Sequence, residues 1–306
     1  MKININGALD IQVTQQCNLN CDHCLMGKSR NNRITRVVAE KIFENIKYVN
    51  DLVFSGGEVS LAYDEIKMII DIIKEKNIEV DQYSIIVNGT IYNEKLLNLL
   101  KDNFKKGNIR VSVDYFHDKS IKEKYGNNLK RILLNYKKYL NHPHFEALAP
   151  LPKYILNSGN ARSLKDVIKV DEFAIGFASY QHDNEINVGP FVFFDVFGNL
   201  VSGGESYDIN DNNHYGNIFT DDLIEMILNN SIYKCNNDKE FYDCYDKIVL
   251  DYYYKDKMDG EWNQGFIKNN YVIRNKRLVK KDMKITNPIR NMKYYNDEKR
   301  LINKIF

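Results

Sequence analysis

The sequence predicts an α/β fold, a partial (β/α)6 TIM-like barrel followed by a C-terminal α+β extension. Three observations carry this. From residue 8 to about 180, short runs rich in β-branched and aromatic residues alternate with amphipathic helical patterns, which implies βα units, a parallel sheet and right-handed crossovers. From about Val188 two apolar runs flank Phe197-Gly198-Asn199, the signal of an antiparallel hairpin. The chain has 306 residues, 43 % hydrophobic and 12 % aromatic, enough for one long α/β domain or a domain with an appendage. The division is expected between residues 187 and 188, giving a barrel over 1–187 and an extension over 188–306.

In chain order, strands are expected at 8–14 (ALDIQVT), 51–57 (DLVFSGG), 82–89 (QYSIIVNG) and 109–116 (IRVSVDYF). Between them, at 36–49, 60–77 and 93–106, apolar residues recur at three- and four-residue steps with charges opposite, so helices are expected there. A further helix at 119–140 and weaker strands near 145–156 and 172–178 complete six units, short of a closed barrel. The extension opens with a hairpin over 191–201, where Gly198 or Asn199 takes the positive φ of the turn. An acidic, Asn-rich loop (205–217), a helix (220–230) and an aromatic, basic remainder follow.

Composition narrows the function classes. The N-terminus lacks a basic segment followed by a long apolar stretch, and no apolar run reaches the roughly 18 residues needed to span a bilayer, so the reading is a cytoplasmic chain without a membrane partner. With 43 basic and 41 acidic residues the net charge is +2, and nucleic acid is not an expected partner. The charge is uneven: residues 268–306 carry 12 Lys/Arg against 3 Asp/Glu. That tail reads as a solvated basic surface or as a docking surface for an acidic peptide or nucleic acid.

Three of the five cysteines fall within eight residues, Cys17, Cys21 and Cys24, in the spacing C-x3-C-x2-C. An odd count with one cluster argues against a disulfide framework and for reduced thiols that bind metal. Three thiolates on one loop straight after the first strand suit three irons of a 4Fe-4S cube, leaving the fourth iron open. A structural zinc site wants four closed ligands, and His23 has no second cysteine pair nearby. Three buried structural cysteines fit poorly in so polar a loop as CNLNCDHC.

The motif resembles the signature of the radical S-adenosylmethionine (SAM) superfamily, which carries C-x3-C-x2-C in the loop after the first barrel strand, usually with an aromatic residue where His23 stands here. The resemblance spans about residues 8–180. It implies one 4Fe-4S cluster on Cys17, Cys21 and Cys24, whose open iron chelates SAM. One electron then cleaves SAM to methionine and a 5′-deoxyadenosyl radical. In FSGGEVS, Gly56, Gly57 and Glu58 match the family's GGE segment near the methionine amino group, with the two glycines allowing close backbone approach. Asn88 in VNGT matches its NG turn. Ser112 and Asp114, two residues apart on one strand face, stand where the family contacts the ribose and the methionine carboxylate. Arg162 in SGNARSL matches an arginine after the fifth strand that could hold that carboxylate.

The extension resembles the start of that found in peptide-modifying members, but Ser202-Gly203-Gly204 stands where a cysteine is common. Only Cys235 and Cys244 remain, too few thiolates for a second cluster. Both are candidate hydrogen donors, as in peptide epimerases of the superfamily, or else ordinary packed residues. Tyr115, His117, Tyr180 and Tyr207 are further donor candidates, and His142 and His144 read as loop residues. The resemblance therefore implies a maturase of a ribosomally made precursor peptide, acting by epimerisation or cross-linking with a low-potential electron donor such as a flavodoxin or ferredoxin. The alternatives are a superfamily enzyme for a small molecule, a nucleotide or a glycyl-radical partner, or a noncatalytic Fe-S or zinc module. The hairpin and basic tail are expected to cover the open barrel edge and shape a peptide groove.

Overall fold

A computed structural model describes residues 1–112, 115–126, 129–149, 155–156, 159–165, 169–170, 176–201, 214–254, 271–274 and 277–280. Strand β1 (Lys2–Thr14) alternates as far as Ile11, with Ile3, Ile5, Leu9, Ile11 and Val13 buried and Asn4, Asn6, Ala8 and Asp10 half-exposed, while Gln12 and Thr14 at its carboxyl end are buried as well. Its buried side packs with the apolar stripes of the crossover helices, such as Ile66, Ile69 and Ile73 of α2 and Leu96 and Leu100 of α3, so the polar residues line the other face of the sheet.

The elements follow as α1 (Arg36–Ile42), β2 (Ile46–Gly56), a 3₁₀ turn (Val59–Leu61), α2 (Tyr63–Glu75), β3 (Glu79–Val87), α3 (Glu94–Asn103), β4 (Gly107–Ser112), α4 (Tyr115–Tyr125), α5 (Leu129–Leu140) and β5 (Phe145–Ala149). Helices α1 and α3 start where a side chain caps them: Thr35 accepts from the Val38 amide and Asn93 from the Leu96 amide. Strands β1 to β5 lie side by side and parallel, in chain order.

Next come β6 (Ile155–Leu156), a 3₁₀ turn (Gly159–Ser163), β7 (Lys169–Val170), β8 (Phe177–His182), β9 (Glu185–Phe194), β10 (Asn199–Val201) and β11 (His214–Asn217). Helix α6 (Leu223–Asn230), β12 (Tyr233–Cys235), α7 (Asp238–Tyr254), β13 (Tyr271–Arg274) and β14 (Arg277–Lys280) complete the described chain. The main sheet runs β11-β10-β9-β1-β2-β3-β4-β5, with β8 paired to both β9 and β12. Strand β9 is parallel to β1 from Lys2↔Glu185 to Ile11↔Phe194, so the extension adds its strands to the far edge of the first one. The hairpin forms as expected, with Gly198 at φ +80° and the Asp195 carboxylate accepting from the Phe197 and Asn199 amides.

Five expectations change. Helix α1 ends at Ile42, and residues 46–49, expected as helix, already belong to β2, because β1 is thirteen residues long and Ile46, Tyr48 and Val49 pair with its first half. The single helix expected over 119–140 is two helices parted at Gly126, whose φ of +67° stops the first. Strand β4 ends at Ser112, and residues 115–116, expected as its end, open α4. Of the six expected barrel strands, five form the parallel set: β6 and β7 pair with each other, and β8 is antiparallel to β9. The boundary expected at 187/188 falls inside β9.

Candidate functional site

The carboxyl ends of β1, β2 and β3 converge on the cysteine loop. At the end of β1, Thr14 pairs with Gly56, and the Thr14 carbonyl accepts from the Gly57 amide at 2.7 Å. The Gln16 carbonyl accepts from the Glu58 amide at 2.8 Å. A Cβ on Gly57 would lie 2.2 Å from the Gln16 oxygen, so this close approach needs glycine. Glu58 is fully buried. Its two oxygens accept from the Ser60 amide at 3.1 Å and the Asn88 amide at 2.8 Å, which ties β2 to β3. Burial pushes its carboxyl above the usual range, against the lowering by those bonds and by nearby His117.

Asn88 then reaches the loop. Its Nδ2 donates to Asn18 Oδ1 at 2.8 Å and lies 3.9 Å from Cys17 Sγ, while its Oδ1 accepts from Thr90 Oγ1. Cys17 Sγ also receives the Leu19 amide at 3.4 Å. Burial pushes the Cys17 thiol up to about 11, with Glu58 and Cys24 adding to the rise. Cys21 is buried, whereas Cys17 and Cys24 are half-buried.

Two further elements clamp the loop. Helix α4 lies along it: Ser120 Oγ accepts from the Asn20 amide at 3.2 Å, Lys119 pairs with Asp22 at 2.5 Å, and Lys124 donates to the Asn18 carbonyl. His23 stacks on Phe116, with centroids 4.7 Å apart, and meets His117 edge-on. The turn Gly159–Ser163 docks from the other side, where the Asn160 amide donates to the Cys24 carbonyl at 2.9 Å and its side chain to the Cys21 carbonyl at 3.0 Å. An open cleft of about 570 Å³, within the range of small-molecule sites, runs beside Cys17 and Asn18 with Lys28 and Lys124 on its rim.

Of the residues singled out in the sequence, Cys17, Cys21, Cys24, Gly56, Gly57, Glu58 and Asn88 come together here. Ser112 is half-buried at the end of β4, its carbonyl accepting from Tyr136 Oη at 3.3 Å. Arg162 is exposed on the docked turn. Asp114 and Tyr207 lie outside the described residues, as do Ser202-Gly203-Gly204 and most of the basic tail; of Tyr115 only the backbone is described.

Cys235 and Cys244 are placed elsewhere. Cys235 pairs with Tyr180, Tyr180 with Asn187, and Asn187 with Asn4, so it sits at the amino end of the sheet, ten residues before Thr14. At about 3.3 Å per residue that is roughly 33 Å from the cysteine loop. The expected hydrogen-donor role does not fit this position. The two cysteines instead pack with Tyr180 and Phe241 in a small apolar cluster, and burial pushes the Cys235 thiol up to about 12.

Sequence reasoning missed Asn18, Thr90, Asn160 and the face of α4. It also missed the polar face of the sheet, where Asp10, Val53, Ser84 and Asn108 stand in register and Ser84 Oγ donates to Asp51 at 3.0 Å. The alternation NINGALDIQVT carried that signal.

The donor set suits an iron–sulfur cluster. Three cysteines come from one loop, and N–H groups are directed at Cys17 Sγ from Leu19 and Asn88.

Residues 11–144 match the model of the Radical SAM superfamily. A probable GTP 3′,8-cyclase of Methanococcus aeolicus is 27 % identical over 167 residues, 53 % of this chain and 54 % of that one. The putative peptide biosynthesis protein YydG of Bacillus subtilis is 28 % identical over 144 residues, 44 % of this chain and 43 % of that one. Among solved structures, Streptococcus suis SuiB bound to the precursor peptide SuiA aligns with a TM-score of 0.45 at 11 % identity, covering 77 % of this chain and 69 % of that one. The chain spans between 29 % and 54 % of the length of the curated relatives it matches. Among the described residues no helix is long and apolar enough to cross a membrane.

Proposed function

We propose, for a chain that carries a Radical SAM superfamily domain over residues 11–144, that Cys17, Cys21 and Cys24 hold a single 4Fe-4S cluster and that the molecule modifies a peptide. Enzymes of this superfamily use that cluster with SAM. When bound, the pair supplies the one-electron cleavage of SAM that yields a hydrogen-abstracting 5′-deoxyadenosyl radical.

The chain's own residues do the holding and the orienting. Gly56 and Gly57 let the end of β2 lie against the cysteine loop. Glu58, buried and carboxylate-bearing, favours a cation at that edge and receives the amino group of SAM. Asn88 fixes the Cys17 side of the loop, and Ser112, Asp114 and Arg162 serve the ribose and the carboxylate. The observation that carries the reading is the convergence of three thiols with the carboxyl ends of β1, β2 and β3, where enzymes built on βα units assemble their sites.

The peptide part rests on the likeness to YydG, on the hairpin that joins the edge of β1, and on the basic tail. The precursor peptide is the proposed partner, with a flavodoxin or ferredoxin as electron donor. A second reading, chemistry on a nucleotide, is favoured by the likeness to the GTP cyclase. One experiment separates them: reduced, reconstituted protein is incubated with SAM in deuterated water, with candidate precursor peptides in one arm and GTP in the other. Deuterium at one Cα of a peptide means epimerisation, loss of two hydrogens means cross-linking, and conversion of GTP alone overturns the peptide reading.

A further inference from the structure

Cys21, His23 and His117 lie with their ligand atoms all within 4.8 Å of one another, one sulfur and two imidazole nitrogens. Cys21 is buried and the two histidines half-buried. They come from two elements: Cys21 and His23 share the loop, while His117 stands on the first turn of α4, and the packing of α4 on that loop fixes their separation. Phe116 stacks on His23 and holds its ring in place.

We propose that these three residues form a second, alternative metal site, which takes a divalent ion such as Zn²⁺ when iron is absent and shares Cys21 with the cluster. The chemistry favours that ion class. Sulfur and imidazole donors in a 1:2 set with one open position match zinc, whose bonds of about 2.3 Å to sulfur and 2.0–2.1 Å to nitrogen place tetrahedral ligands roughly 3.3–3.7 Å apart. From the 4.8 Å limit the ligand atoms need to close by about 1.1–1.5 Å, within reach of small rotations about χ1 and χ2 that keep His23 against Phe116. On binding, the Cys21 thiol gives its proton to solvent and both imidazoles bind neutral, so the site gains one net positive charge. Fully buried Glu58, whose carboxylate interacts with His117, stands ready to offset that charge. Because both sites draw on the Cys21 sulfur, loading zinc competes with cluster assembly.

The test uses the full-length chain, prepared metal-free under anaerobic conditions and titrated with Co²⁺ as an optical stand-in for Zn²⁺. One Co²⁺ should bind with tetrahedral ligand-field bands and a charge-transfer band of single-thiolate strength. Cys17→Ala and Cys24→Ala should keep this spectrum. Cys21→Ala should lose it, and His117→Ala should weaken binding by at least the ~10–100-fold that loss of an outer-shell partner costs a metal site. His117→Gln and far-UV circular dichroism guard against a misfolded variant. A spectrum that disappears in Cys17→Ala or Cys24→Ala but survives in both His117 variants would assign the ion to the three cysteines and overturn the proposal, as would no Co²⁺ binding at all. Iron and sulfide content measured in the same variants reports separately on the cluster, so failure of that reading leaves a different pattern.

Discussion

Replacing Gly159 with alanine should undock the 159–163 turn from the cysteine loop without unfolding the sheet. Gly159 sits at φ +51°, and a Cβ there would lie 2.3 Å from the Leu25 oxygen, 2.4 Å from the Cys24 oxygen and 2.6 Å from the Gly27 nitrogen. Real Cβ atoms do not approach closer than 3.0 Å, so the loop must retreat by at least about 0.7 Å, and every obstructing atom is backbone. The left-handed conformation adds about 1–2 kcal/mol for a residue with a Cβ. Forcing the extra atom into a packed contact adds about 1–3 kcal/mol. The total, about 2–5 kcal/mol, falls on an interface held by the two bonds from Asn160, one to Cys24 and one to Cys21. Even 2 kcal/mol shifts the docked-to-undocked ratio by about 30-fold. Iron and sulfide per chain after anaerobic reconstitution should therefore drop severalfold, while the urea unfolding midpoint moves little. Asn160→Ala, which removes one bond worth about 1 kcal/mol, should show a milder loss. If Gly159→Ala binds iron like the parent and the amides of residues 24–27 exchange hydrogen at parental rates, the turn does not position the loop.

Cys21→Ala should abolish both iron binding and reductive release of 5′-deoxyadenosine with little loss of stability, and retained turnover would remove Cys21 from the ligand set. Glu58→Gln turns an amide N–H toward a backbone donor in a buried place, so stability should fall by about 1–3 kcal/mol and SAM affinity with it, read by urea titration and by equilibrium binding; lowered stability with parental SAM affinity would make Glu58 a tie between strands only. The Cys17 thiol titrates at about 11 in the folded, metal-free chain against 9.0 for a free one. Its folded value is raised, so its contribution is complete below pH 9 and is lost as pH rises from about 9 to 11; Cys17→Ser should flatten that part of the stability profile by up to about 3 kcal/mol, and an unchanged slope would show that burial does not hold the thiol protonated. Removing residues 268–306 should weaken binding of an acidic precursor peptide at low salt more than at high salt, measured by fluorescence anisotropy, and equal affinity at both would reduce the tail to a solvated surface.

The sequence made the strand ends legible because backbone chemistry is local there. Gly56, Gly57, Asn88 and the cysteine spacing each announce a turn or a ligand within a few residues. The hairpin at Gly198 was legible for the same reason. Lengths were less so: Ile46–Val49 fits a helix by spacing, and only its pairing with the start of β1, more than forty residues away, makes it strand. The roles of Asn160 and His117 were hidden because each depends on contact with a loop about 90 to 140 residues earlier. The position of Cys235 was invisible for a related reason, since three successive strand pairings place it at the far end of the sheet.

The parallel pairing of β9 with β1 sets a timetable for biosynthesis. Strand β1 finds one neighbour, β2, soon after it is made, but its other neighbour, β9, begins about 130 residues after β2 ends. At 5–20 residues per second that is a delay of roughly 6 to 26 s, during which eight residues of an apolar strand hold a row of unpaired amides and carbonyls outward. A nascent chain of this kind is open to pairing with a second copy of itself. Translation speed across residues 57–184, and chaperones that shield that one edge, should therefore govern the soluble yield of the protein more strongly than the stability of the finished fold does.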